Sequence, residues 1–186
     1  MPHSPPPPAP APHAPTGTSE PTPPYVVDAN SWIEGFNIWY RPNTFGGVWA
    51  DMDRWLRAGT VVLIQKTYLE TTRHDNALKA WMHSRVPFIT ANTASAERLF
   101  GSIIAHELGR ALIAKAQNRS DGDARVIAAA MDLRGTVVSE EYPSTKPSRP
   151  GIPNVCDHFR VPCIRFGEMM ERLGVQYPAS TPPPSP

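Results

Sequence analysis

Three short apolar runs, Tyr25-Val26-Val27, Val61-Val62-Leu63-Ile64 and Thr136-Val137-Val138, stand between longer stretches of helical periodicity, and this alternation leaves few folds open. Runs of three or four apolar residues are too short for buried helices and suit strands covered on both faces. Strand followed by helix, repeated along the chain, is the pattern of a three-layer α/β domain with a mainly parallel central sheet and right-handed crossovers.

The segments between the runs fit that frame. Residues 31–40 carry Trp32, Ile33, Phe36, Trp39 and Tyr40 at near-helical spacing and stop before Pro42. Residues 45–58 place Phe45, Val48, Trp49, Met52, Trp55 and Leu56 on one face, with Gly59 as the C-terminal stop. Residues 65–72 predict a helix after the second strand, and 75–85 another, capped by Asp75 with Leu78, Trp81 and Met82 inward. The longest helical pattern is 94–117; a further helix starts at Asp123 and closes at Gly135. After the third strand, 142–153 read as a loop, 155–159 as a short helix, 161–166 as a last strand interrupted by Pro162, and 167–173 as a closing helix. Within 94–117, His106-Glu107-Leu108-Gly109-Arg110 begins like a zinc-protease helix, but Arg110 stands where the second His is required. His106 and Glu107 are read as solvent-facing.

Composition divides the chain. Of its 23 prolines, 11 fall in residues 1–24 and five in 178–186, so both ends are expected to be disordered, either solvated extensions or docking ligands. Residues 25–177 remain as one domain with a core of ordinary size. With no signal-like leader and no apolar run near the roughly 20 residues of a membrane span, a cytoplasmic protein without membrane contact is expected. Cys156 and Cys163 are the only cysteines and are expected as reduced, buried thiols; a zinc site with His158 lacks an evident fourth ligand. With 18 basic and 17 acidic residues the formal net charge is +1, so no overall excess points to nucleic acid.

Three acids occupy comparable places around the predicted strands: Asp28 after the first, Glu70 beyond the second, and Asp123 at the head of the helix feeding the third. Glu140 and Glu141 follow that third strand, and parallel strands bring their carboxyl ends to one edge. Clustered carboxylates repel one another unless a cation neutralises them, and hard oxygen donors favour Mg²⁺ or Mn²⁺. The residues alone equally allow Asp28 as a turn or cap, Asp123 as a helix cap and the glutamates as surface charges.

The sequence resembles the PIN-like nucleases, in particular a branch with toxin-like members. The resemblance is carried in order by Tyr25-Val26-Val27-Asp28-Ala29-Asn30, Phe45 through Gly59, Tyr68-Leu69-Glu70, Asp123 through Ala128, Thr136 through Glu141, and Ile152-Pro153-Asn154-Val155-Cys156 with Val161-Pro162-Cys163. It implies a PIN-like sandwich and an endoribonuclease that uses Mg²⁺ or Mn²⁺. Asp28, Glu70 and Asp123 match the family's acids. The fourth acidic position falls at Ser139–Glu141, with Glu141 preferred, and Asn30 and Ser139 are expected to orient the site. Asp28 and Asp123 would hold the ion, Glu70 would hold it or orient the water, and Glu141 would bind a second ion or a coordinated water. The resemblance also implies an RNA substrate, an antitoxin partner, homodimeric pairing as an option, and Cys156 and Cys163 packed in the core. It breaks at residues 35–39, which lack the basic residue expected there, and over 90–117. Candidate phosphate contacts are Arg41, Lys66, Arg73, Arg119 and Arg125. The alternatives are a catalytically inactive PIN-fold module that binds RNA or protein, and a metal phosphoesterase acting on DNA or nucleotides.

Overall fold

A computed structural model describes residues 23–73, 76–115 and 121–175. The Pro-rich ends expected to be disordered lie outside the described residues, apart from residues 23 and 24, as do Asp75 and Arg119. Five parallel strands form the central sheet: β1 (Tyr25–Val27), β2 (Val61–Ile64), β3 (Ile89–Thr90), β4 (Thr136–Val138) and β5 (Cys163–Ile164), in the order β3-β2-β1-β4-β5. Tyr25 pairs with Val61 on one side and Thr136 on the other, so β1 is central. The alternating direction of strand side chains divides the core in two. Tyr25, Val27, Val61, Leu63 and Val138 point into one cluster, and Val26, Val62, Ile64 and Val137 into the other.

The first face is covered by α1 (Ala29–Glu34), α2 (Gly46–Ala58), α4 (Ala77–His83) and α9 (Phe166–Arg172), which bury Trp32, Trp49, Met52, Leu78, Met82 and Met169 there. Trp49 meets Phe36 at 4.7 Å and Trp81 at 5.1 Å, edge to face, so most of the N-terminal aromatics are core residues. The second face is covered by α5 (Ala94–Ala105), α6 (Glu107–Lys115), α7 (Gly122–Leu133) and α8 (Ile152–His158). The remaining helix, α3 (Gln65–Thr71), leads away from the carboxyl end of β2. The expected three-layer α/β/α sandwich is the observed architecture. No helix among the described residues is long and apolar enough to cross a membrane.

Several local expectations are corrected. The first helix tightens into α1 and then widens into a π turn over Gly35–Trp39. Helix α4 is capped by Asn76, whose side chain accepts the Lys79 N–H at 2.9 Å, rather than by Asp75. The stretch expected as one helix over 94–117 breaks at His106, which is extended at ψ 147°. A Cβ on Gly109 would collide with the Ile103 carbonyl oxygen, so the two helices meet this closely only because that residue is glycine. His106 is half-buried and stacks on His158 at 4.0 Å, not solvent-facing, whereas Glu107 is exposed. Strand β3 was not foreseen: it is two residues long and directly follows a 3₁₀ turn containing Pro87. Helix α7 is ended by Arg134 in the left-handed region at φ 50°, one residue before Gly135. Helix α8 begins at Ile152, inside the expected loop, and β5 spans only Cys163–Ile164. Both cysteines are free thiols; Cys156 is buried and Cys163 half-buried.

Candidate functional site

A parallel sheet of this order has one switch point, between β1 and β4, where the crossovers leave in opposite directions and a crevice opens at the carboxyl ends. Asp28 follows β1 and Ser139 follows β4, so both lie on that crevice. Asp28 is 2% exposed and its carboxylate is fixed from two sides. Oδ1 accepts the Ser31 N–H at 2.6 Å, which makes Asp28 itself the N-cap of α1. Oδ2 accepts the hydroxyl of Ser139, 1% exposed, at 2.8 Å, and the Ser139 hydroxyl oxygen in turn accepts the Glu141 N–H at 3.2 Å. Ser139 thus fixes the second oxygen of Asp28. Asn30 does not: it is exposed and lines the crevice beside Glu141.

Glu70 reaches the site from the second turn of α3. Its carboxylate lies against the start of α7, where a Cβ on Gly122 would be 2.5 Å from Oε2. Asp123 sits one residue further, in the first turn of α7. Burial raises its pKa to about 7, with repulsion from Glu141, Asp28 and Glu70 adding and the Lys115 ammonium opposing. Asp28 is likewise pushed up to about 6, first by burial, against hydrogen bonds from Ser31 and Ser139 and with a contribution from Glu141. The four acids expected from the sequence therefore share one electrostatic neighbourhood, with Asp123 feeling the other three.

They do not close on a common point. Among the described residues, no three His, Cys, Asp or Glu side chains meet closely enough to hold an ion as they stand. Each acid is drawn to its own partner. Glu141 accepts Lys115 Nζ on both oxygens, at 2.9 and 2.8 Å, and the Ile152 N–H at 2.8 Å. Glu70 has Lys66 Nζ at 3.9 Å. Glu140 faces the other way and accepts the Phe166 N–H at 2.7 Å, which leaves Glu141 as the acid of that pair turned toward Asp123.

A hard cation would have to draw its oxygen donors from these carboxylates, of which Asp28 and Asp123 have pKa values raised to about 6 and about 7. A divalent ion would supply the positive charge that Lys115 and Lys66 now supply in part. Lys115 was missed in the sequence because it ends a helix whose break was not foreseen. Asp121 was missed as well. Oδ1 pairs with Lys66 at 2.7 Å and Oδ2 with Arg125 at 2.7 Å, and Arg125 also reaches Glu97 at 2.8 Å. Lys66 and Arg125, expected as phosphate contacts, are engaged in these pairs, whereas Arg41 and Arg73 are exposed.

A family model described as a domain of unknown function, DUF4411, matches residues 25–177. The chain belongs to that family. The matched residues include the whole sheet and Asp28, Glu70, Asp123 and Glu141. No curated protein and no solved structure matches the chain.

Proposed function

We propose that this DUF4411 protein is a Mg²⁺- or Mn²⁺-dependent endoribonuclease of PIN-like type, acting as the toxin of a toxin-antitoxin pair. The observation that carries this reading is that Asp28, Glu70 and Glu141 all act electrostatically on Asp123 beside the switch point, although the four do not close on one point. Asp28 and Asp123 would hold the ion, flanked by Glu70 and Glu141. Bound there, a divalent ion supplies an activated water and neutralises charge on a phosphodiester oxygen. The chain's own part is to keep the first carboxylate fixed through Ser31 and Ser139 and to hold Asp123 ready to give up its proton. The resemblance of the ordered segments to PIN-like nucleases supports RNA as substrate. With it come a cytoplasmic location, an antitoxin partner and the option of a homodimer.

A second reading, a binding module that does not cut, is favoured by one observation: Lys115 holds both oxygens of Glu141 and so competes with any ion for that acid. Incubating a mixed RNA pool with Mn²⁺ and wild type or Asp28→Asn separates the two. The nuclease reading expects cleavage that is lost in the variant. No cleavage by either protein, or equal cleavage by both, leaves the binding module; preferential cutting of matched DNA turns the assignment to a deoxyribonuclease.

A further inference from the structure

The crevice does not end at the acids. Beyond Glu141 it continues into two adjoining hollows of ≈ 260 and ≈ 590 Å³ that share Trp39, Glu140 and Arg165 in their walls, together the size of an ordinary small-ligand site. Trp39 ends the π turn at Gly35–Trp39, a geometry frequent at functional positions. While Trp32, Phe36, Trp49 and Trp81 pack into the core, Trp39 remains 37% exposed on the hollow. In the same lining, Tyr142 is 70% exposed and the Arg165 guanidinium lies over its ring at 3.8 Å. An exposed indole and an arginine–tyrosine pair in the walls of one hollow are stacking surfaces for a planar ring.

The charge of the hollow narrows the ligand. Glu34, Glu140 and Glu141 line the nearer part and Glu168 and Glu171 the farther, against the single cation Arg165 among the described lining residues. Such walls accept the N–H groups of a base and leave the phosphates of its strand outside the hollow. Glu140 is the fixed member, since its Oε1 takes the Phe166 N–H at 2.7 Å. A single carboxylate can take two adjacent N–H donors from one edge of a planar base. Of the four RNA bases in their neutral forms, guanine alone offers them, from N1 and the exocyclic amine.

We propose that these hollows form a nucleobase subsite for one guanine of single-stranded RNA, stacked between Trp39 and the Arg165–Tyr142 pair and read by Glu140. The subsite rests on the ribonuclease reading for RNA as its source. It sets where along the strand the crevice acids engage the backbone, because the hollows join the crevice at Glu141.

The test measures binding apart from cleavage. Fluorescein-labelled seven-nucleotide RNAs with one guanine, adenine or inosine in a pyrimidine background are titrated with the full chain in EDTA and followed by anisotropy. Wild type is expected to bind the guanine RNA about tenfold more tightly than the adenine RNA, with inosine between, in keeping with one stacked and hydrogen-bonded base. Trp39→Ala is expected to weaken the guanine RNA about tenfold. Glu140→Gln keeps an oxygen for the Phe166 N–H but replaces the second acceptor with a donor, and is expected to erase the guanine preference. Unchanged melting temperatures confirm that both variants fold. Equal binding of all three RNAs by wild type, binding of none, or a Trp39→Ala variant that binds like wild type overturns the subsite. Cleavage with Mn²⁺ is scored separately: guanine-selective binding without cutting sinks the nuclease reading and keeps the subsite, and cutting without guanine preference does the reverse.

Discussion

Asp123 bears the repulsion of three neighbouring acids in a half-buried position, and the fold holds it there against that repulsion. Asp123→Asn removes the charge and keeps the shape. In EDTA at pH 8 the variant is expected to melt higher than wild type, and relief of about 1 kcal/mol would appear as a rise of ~2–4 °C in a chain of this size. A lower melting temperature would show that the carboxylate stabilises the metal-free fold. Ser139→Ala acts in the opposite sense: it strips one of the two hydrogen bonds of a buried carboxylate and is expected to cost about 1–3 kcal/mol in urea unfolding. Lys115 is the resident cation at Glu141. Lys115→Met is expected to increase the thermal stabilisation given by millimolar Mn²⁺, since an ion then meets no competitor; an unchanged response would place Glu141 outside any cation site.

At the scale of elements, the site depends on how closely α3 approaches the start of α7. Gly122→Ala puts a methyl group 2.5 Å from Glu70 Oε2, and Glu70 or the helix must shift. Overpacking of this kind is expected to cost about 1–3 kcal/mol and to lower the Mn²⁺ response together with it; a silent substitution would mean that Glu70 has room to leave the site. The places of Asp28, Glu70 and Asp123 were legible in the sequence because each sits at a fixed offset from a strand or helix whose apolar pattern is plain. The preference for Glu141 over Glu140, and the orienting role of Ser139, came only from the resemblance. The break at His106 was not, because Ile104, Leu108 and Leu112 keep helical spacing across it, while the close approach of Gly109 to Ile103 that accompanies the break leaves no mark in that pattern. Lys115 was hidden behind that break. The Ser31 partner of Asp28 was hidden in another way: an exposed Asn30 and a buried Ser31 look alike as polar neighbours, and the cap geometry decides between them.

For the molecule as a whole, the acids make folding stability depend on pH. Asp28 and Asp123 have folded pKa values of about 6 and about 7, above the ordinary 3.8 expected when unfolded. Between pH 4 and 7 the native state therefore holds protons that the unfolded chain has released, so this contribution is complete below pH 4 and is lost as pH rises through 6 and 7. The metal-free protein is expected to lose melting temperature over that interval, and Asp28→Asn/Asp123→Asn to flatten the loss. A stability that rises across the same range in wild type and double variant alike would assign the pH dependence to other groups. The most direct measurement is a titration of the full chain at pH 7.5 with Mn²⁺, followed by the loss of the free-ion electron paramagnetic resonance signal. Wild type is expected to bind the ion saturably and Asp123→Asn to lose most of that binding, with Glu107→Gln, on an exposed position of the second face, unchanged. Binding that is absent in wild type, or equal in wild type and Asp123→Asn, would contradict the claim that the switch-point acids form a cation site.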